Sequence, residues 1–243
     1  MKYKFISKSV FFPLEKILVI ADLHIGHEEA MNKAGIFLPR IQFSEIIKDL
    51  NNIFLSLGKR NRTQRINEII ICGDLKHEFS QISEQEWKET LDILDYLEKK
   101  CKKIILVRGN HDKILGPIAE KKKIEIVDFY IKNDVCFIHG DKIFPEILGK
   151  KIKTIVMGHR HPAVVLQDKY KKEKFKCFLV GKWKRKEVII LPSFFPLIEG
   201  TDLIEEGCNL LFIKERDLRN FEVYAVGDRI YDFGKLKSIG RLE

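Results

Sequence analysis

Five short apolar runs, dense in β-branched residues, limit what this chain can fold into: Lys16–Ala21 (KILVIA), Glu68–Cys72 (EIIIC), Lys103–Val107 (KIILV), Asp134–Ile138 (DVCFI) and Thr154–Met157 (TIVM). Runs of this length and composition read as strands buried on both faces. Each run ends on a polar cluster. The first leads into Asp22-Leu23-His24 and the second into Gly73-Asp74-Leu75-Lys76-His77. The third leads into Arg108-Gly109-Asn110-His111-Asp112, the fourth into His139-Gly140-Asp141 and the fifth into Gly158-His159-Arg160-His161. All seven histidines, His27 included, stand within a few residues of a strand end. Loops at strand ends collect along one edge of a sheet, so these groups are expected to meet in space.

The segments between the first three runs carry helical spacing. In Arg40–Leu57, Ile41, Ile46, Ile47, Leu50, Ile53, Phe54 and Leu57 form one stripe, and Gly58 suits a C-cap. In Ser83–Lys100, Ser83 and Glu86 make an S-x-x-E capping box ahead of Trp87, Leu91, Leu94 and Leu97. The first half is therefore read as βαβαβ. After residue 160, strands are expected without convincing helices, at Ala163–Gln167, Phe175–Gly181, Glu187–Leu191, Asn209–Ile213, Phe221–Val226 and Arg229–Phe233. Val226-Gly227-Asp228-Arg229 reads as a tight hairpin. The expectation is one α/β domain over residues 1–243 with two mixed sheets, not a doubly wound single sheet.

No apolar run reaches the ~20 residues of a membrane helix, and the N-terminus lacks a signal-peptide core, so a cytoplasmic protein without a membrane partner is expected. The five cysteines form no CxxC pair, and several sit in apolar runs, which argues against a disulfide framework or zinc ribbon. A net charge of +9 favours an anionic partner such as nucleic acid. The same balance, with Lys interleaved with Glu, also fits an ordinary solvated surface of thermophilic character.

Carboxylates and imidazoles joined by one amide oxygen suit borderline divalent metals: Mn foremost, or Fe, Zn, Ni or Co. D-x-H and H-x-H put two side chains on one face of an extended segment. A carboxylate such as Asp74 can bridge two cations, and such a pair can clamp the attacking and leaving oxygens of a phosphoryl displacement. Glycines before Asp74, Asn110 and His159 would let the backbone turn sharply. Singly, each motif is more often structural; five in order, each after a strand, point to a metal site.

The ordered set DLH, GDxxH, GNHD, H and GHxH resembles the calcineurin-like metallophosphoesterase family over residues 17–161. GDLKH is similar to the GDLxH of SbcD-type nucleases. Ala21–Glu29, Gly158–Pro162 and Leu191–Phe194 resemble compact archaeal SbcD-related and bacterial DNA-ligase-associated phosphoesterases. The resemblance implies a four-layer α/β/β/α sandwich of two mixed sheets flanked by helices. It implies that Asp22, His24 and His161 bind one metal, that Asp74 bridges, and that Asn110, His139 and His159 hold the second. It further implies that a hydroxide shared by the metals attacks phosphorus and that His111 protonates the leaving oxygen. Asp112 would orient His111, and His77 would contact phosphate. SbcD-type nucleases continue into DNA-capping and ATPase-docking segments with no obvious counterpart before Glu243, so an ATPase partner is not expected; a homodimer is left open.

Outside that set, His27 reads either as a substrate contact or as a structural histidine, and Arg160 either grips phosphate or points to solvent. Arg108 reads as structural. Lys169–Lys176 (KYKKEKFK) and Lys182–Lys186 (KWKRK) could track a nucleic-acid backbone and stack bases, or form an exposed hairpin with core aromatics. Three functions stay open: a phosphodiesterase or nuclease acting on nucleic acid, as in DNA repair; a phosphatase or phosphodiesterase acting on a small metabolite or cyclic nucleotide; and a non-catalytic binding module. The intact His111–Asp112 pair argues against the third.

Overall fold

Side-chain alternation decides how the strands stack. The computed structural model describes residues 2–58, 66–79, 81–167, 171–206 and 212–239. A six-stranded sheet runs β1 (Lys4–Ile6), β2 (Ser9–Phe12), β3 (Ile17–Ile20), β4 (Ile66–Cys72), β5 (Cys101–Val107), β6 (Glu125–Val127). The pairings are antiparallel up to β3 and parallel from β3 onward. The second sheet holds β7 (Phe129–Lys132), β8 (Val135–Ile138), β9 (Thr154–Met157), β10 (Pro162–Gln167), β11 (Lys172–Trp183), β12 (Lys186–Ile190), β13 (Thr201–Asp202), β14 (Glu222–Val226) and β15 (Ile230–Lys235). Its order is β13-β10-β11-β12-β9-β8-β7, with the β14–β15 hairpin added along β11. β8, β9 and β12 are parallel neighbours and the remaining strands are mainly antiparallel, so both sheets are mixed.

The two-residue period of each strand divides its side chains between layers. Ile17, Val19 and Ala21 meet Val135, Phe137 and Val156 between the sheets. Leu18 and Ile20 point the other way, under the helices. On β8 and β9, Cys136, Ile138, Ile155 and Met157 face the outer side of the second sheet. Helices α1 (His27–Lys33), α2 (Gln42–Gly58), α3 (Glu84–Glu98) and α4 (Gly116–Lys122) are joined by short α5 (Glu215–Leu218) and α6 (Leu236–Ile239). Ile46, Leu50 and Ile53 of α2 and Ile93, Leu94 and Leu97 of α3 bury against the first sheet. The far face of the second sheet is covered by Ile147, Ile213, Leu218, Leu236 and Ile239 from short helical turns and loops. No helix of the described residues is long and apolar enough to cross a membrane.

The helix starts are fixed by carboxylates and a hydroxyl. Ser83 Oγ accepts from Glu86 N at 3.1 Å, as its capping position requires. The reciprocal half of the expected box is absent: the Glu86 carboxylate accepts from His77 N and Glu78 N at 2.8 and 2.9 Å. At the start of α2 the N–H groups of Ile41 and Gln42 go to Glu28 of α1 at 2.8 and 2.7 Å, and Ile41 N is shared with Pro39 O at 3.0 Å.

Several boundaries differ from the sequence reading. β11 is twelve residues long because its first half pairs with β10 and its second with β12 and β14. Of the strand expected at Asn209–Ile213, residues 209–211 lie outside the described residues, and Phe212 and Ile213 are a bend. Ile213 is buried because it plugs the outer core. The Val226–Arg229 hairpin is present, with Val226 paired to Ile230.

Candidate metal centre

The C-terminal ends of parallel β3, β4 and β5 and of parallel β8 and β9 face one edge, and the polar clusters emerge there. The loops then turn in an unusual way. Asp22 (φ 56°), His24 (49°), Asp74 (49°), His159 (73°) and His161 (45°) all adopt left-handed backbone, so D-x-H and H-x-H are not extended segments as their spacing suggested. Each such residue costs on the order of 1 kcal/mol or more, and clustered strain of this kind marks functional loops. Hydrogen bonds hold the strained loops in place. Asp22 N donates to Gly73 O at 3.1 Å and His24 N to Asp74 O at 2.9 Å. Gln42 Nε2 donates to the carbonyls of Leu23 and His24 at 3.1 and 2.6 Å.

The glycines serve these loops differently from the expectation. Gly73 does turn through φ 82°. Gly109 and Gly158 instead permit contact: a Cβ on Gly109 would collide with Asp74, and one on Gly158 would lie 2.6 Å from Asp22 Oδ2.

The seven side chains expected to bind metal come together as two adjoining groups. The ligand atoms of Asp22, His24 and His161 lie within 4.8 Å of one another, as do those of Asp74, His139 and His159. Asn110 Oδ1 is 2.9 Å from His139 Nε2, which places it in the second group. Asp74 Oδ2 stands between the groups, 3.3 Å from His139 Nε2 and 3.7 Å from His24 Nε2. His24 Nε2 and His161 Nε2 are 3.3 Å apart, and His159 Nδ1 is 3.0 Å from His139 Nε2. The His139 Nδ1–H donates to Cys72 O at 3.1 Å, which turns Nε2 into the cluster.

Two buried carboxylates at this spacing demand positive charge. Burial opposes ionisation of Asp74, but the hydrogen bond and charge of His139 outweigh it and hold the carboxylate below its ordinary range. Burial also opposes protonation of His139, yet Asp74 and Asp22 raise it to about 9. Burial lowers His24 to about 3, against the pull of Asp74 and Asp22. Burial and then His139 lower His159. With His139 giving up its proton on binding a cation, the imidazoles, ionised carboxylates and an amide oxygen form a nitrogen–oxygen donor set that fits two borderline divalent cations sharing Asp74.

His111 stands beside this cluster, its Nε2 4.0 Å from Asp74 Oδ2. Its Nδ1 contacts the His77 carbonyl, which can only accept, so Nδ1 carries hydrogen and Nε2 faces the cluster. Asp112 does not orient this ring. Its carboxylate accepts from Gly109 N at 2.9 Å, Leu75 N at 3.1 Å and Lys76 N at 3.4 Å, tying the third loop to the second. Burial, then the charge of Asp74, raise Asp112 to about 6. His77 stacks on His111 with ring centres 5.3 Å apart, and burial followed by the neighbouring His27 lowers it to about 4. His27 opens α1 and packs on His77 and Phe195, each at 4.7 Å. Arg160 is half-buried between His159 and His161.

Residues that the sequence reading passed over support these loops. Phe194 N and Phe195 N donate to Ala21 O and Asp22 O at 2.9 and 3.0 Å. The ammonium of Lys8 holds Phe194 O at 3.2 Å, and that of Lys176 holds Ser193 O at 3.1 Å and contacts Phe195 O. Burial, then Lys8, bring Lys176 down to about 7. Only the likeness of Leu191–Phe194 to related proteins hinted at this loop. Gln42 gave no signal and Glu86 only that of a capping box, because their partners here are backbone groups of other elements.

Several described residues of the basic, aromatic runs are engaged within the fold. Residues 168–170 lie outside the described residues; beyond them Lys172 pairs with Glu205 at 2.8 Å and Lys174 with Glu206 at 3.6 Å. Phe175 and Trp183 belong to the outer core, and Lys186 donates to Gly149 O and Ile152 O. Phe175 and Trp183 are therefore turned inward, away from any base that could stack on them.

The sequence profile of the calcineurin-like phosphoesterases matches residues 15–213. No curated protein matches the chain. Among solved structures, the fold is similar to nuclease MPE of Pseudomonas putida, at 19% identity and TM-score 0.65 over 96% of this chain and 100% of that one. Vps29 of Entamoeba histolytica (16% identity, TM-score 0.39, 90% of this chain and 99% of that one) and Vps29 of Chaetomium thermophilum (14%, 0.40, 89% and 93%) are more distant. The profile match spans most of the chain, across all five loops that build the cluster, and on it this protein belongs to the calcineurin-like phosphoesterase family, whose members are dinuclear metal-dependent hydrolases of phosphoesters.

Proposed function

We propose that the chain is a phosphodiesterase that cleaves nucleic acid or its fragments. The observation that carries the reading is the pair of three-residue ligand groups sharing one wall with Asp74, with His111 Nε2 beside them. Asp22, His24 and His161 would hold one divalent ion and Asn110, His139 and His159 the other, with Asp74 common to both; Mn is the first choice of metal. When bound, such ions supply Lewis acidity at the phosphoryl oxygens and make water a competent nucleophile near neutral pH.

The remaining steps belong to side chains. The Nδ1–H of His111 is fixed by the His77 carbonyl, so a proton on Nε2 faces the site and can pass to the departing alkoxide. Asp112 keeps the loop that carries His111 against the loop that carries Asp74. Arg160, between His159 and His161, would pair with a non-bridging oxygen. His77, His27 and His159 are all lowered, so they add no fixed positive charge. Arg160 and the doubly protonated ring of His111 would then be the cationic side chains that meet the phosphate. The net charge of +9 and the likeness in fold to a protein named a nuclease agree with a nucleic-acid substrate.

An activity panel tests the proposal. With Mn, Ni or Mg, the protein is presented with single-stranded DNA, duplex DNA, cyclic nucleotides, an aryl phosphodiester and an aryl phosphomonoester. Diester cleavage that chelator abolishes and Mn restores is expected. Activity confined to monoesters overturns the reading in favour of a phosphatase.

A further inference from the structure

Phe79 is a large apolar side chain left 46% exposed, and it belongs to none of the apolar clusters. Its ring lies on the ring of His111, with centres 3.7 Å apart and planes 31° apart. His77 also stacks on His111, with centres 5.3 Å apart and planes 29° apart. Both rings thus lie against His111, and nearly half of Phe79 is left open to solvent. Exposure of a phenyl ring costs free energy that a polar residue at this position would avoid. The ring is also held in place from behind, because Glu86 fixes the backbone N–H groups of His77 and Glu78 just before it. A pre-positioned aromatic platform loses little freedom when a flat partner settles on it.

We infer that Phe79 is a specificity-determining residue that stacks on the nucleobase of the leaving nucleoside. The inference rests on the phosphodiesterase reading above. His111 faces the oxygen that departs, so whatever is attached to that oxygen comes next to Phe79. A sugar carrying a base can reach a ring adjacent to the acid, and base–aromatic stacking is tolerant of which base is present. Stacking is made before the chemical step and kept through it, so it acts on KM more than on kcat.

The test uses short thymidylate oligonucleotides in which one nucleotide flanking the scissile phosphate is replaced by an abasic tetrahydrofuran unit. The fragment that keeps the phosphate identifies the leaving side. The intact protein is expected to favour a base on the leaving side by about tenfold in kcat/KM. Phe79→Ala should bring that preference to about onefold, mainly through KM, and Phe79→Trp should restore it. Melting temperatures of both variants check that they fold. A preference unchanged in Phe79→Ala, or an equal fall of kcat on both substrates, overturns the inference and makes Phe79 a support for His111. Absence of cleavage of every diester by the intact protein instead removes the phosphodiesterase reading itself.

Discussion

A proton donor has to present its proton to the substrate and keep its ring still while doing so. His111 meets both conditions: the His77 carbonyl fixes Nδ1, the rings of Phe79 and His77 lie against the imidazole, and Nε2 is left facing Asp74. His111→Ala should therefore lower turnover of an oligonucleotide by about 10²–10⁴-fold. An aryl diester, whose phenolate departs without help, should lose much less, and the metal content should be unchanged. Unaltered oligonucleotide turnover would remove His111 as the acid. The residue types at the site were legible in the sequence because carboxylates, imidazoles and an amide in a fixed order are rarely assembled for packing. Their backbone was not. Nothing in D-x-H announces that both residues are left-handed, since that conformation depends on bonds to Gly73, Asp74 and Gln42 from other elements. The Asp112 assignment failed for the same reason: its partners are three backbone amides, which carry no side-chain signature.

Elements bring these loops together, and α3 shows how a single turn can serve both stability and function. Ser83 caps the helix and touches nothing in the cluster, whereas Glu86, one turn along, reaches past the helix end to the loop of His77 and Phe79. The two residues should separate cleanly on mutation. Ser83→Ala should cost about 1 kcal/mol in chemical denaturation with kcat/KM unchanged. Glu86→Ala should lower kcat/KM at least about tenfold, since the loop beneath the acid loses its anchor. Glu86→Gln keeps an acceptor oxygen and should recover most of the activity. If Glu86→Ala loses stability as Ser83→Ala does while its kinetics stay intact, the residue is only part of the cap. At this scale the long periodic segments were readable: α2, α3 and the five buried strands follow from period and composition alone. α1, α4 and the terminal β1–β2 hairpin were missed because three to seven residues give too little period, and their placement depends on partners across the sheet.

At the scale of the molecule, positive charge is spread unevenly with respect to the catalytic edge. β12 runs parallel to β9, with Ile190 beside Met157 at the site edge and Glu187 beside Thr154 at the other. The turn at Lys184 and Arg185 therefore lies at the end of the sheet away from the cluster, roughly 17–20 Å from Ile190 at about 3.3 Å per residue. Lys182, Lys184 and Arg185 are exposed there, while the lysines of the same strand that approach the site are engaged in ion pairs or carbonyl contacts. Charge at the far end contributes to the overall field but touches no phosphate next to the scissile bond. Lys184 and Arg185 also both have positive φ, 47° and 67°, the two-residue hairpin geometry in which Asn-Gly is preferred. Combining Lys182→Gln, Lys184→Asn and Arg185→Gly should remove charge without disturbing the turn. Melting temperature should hold or rise. The rate on oligonucleotides and the slope of log affinity against log salt should stay within error of the parent, while Arg160→Ala, at the cluster, should reduce that slope by about one. A flattened salt dependence in the triple variant would move the nucleic-acid contact to the far end of the second sheet and separate where the polymer is held from where it is cut.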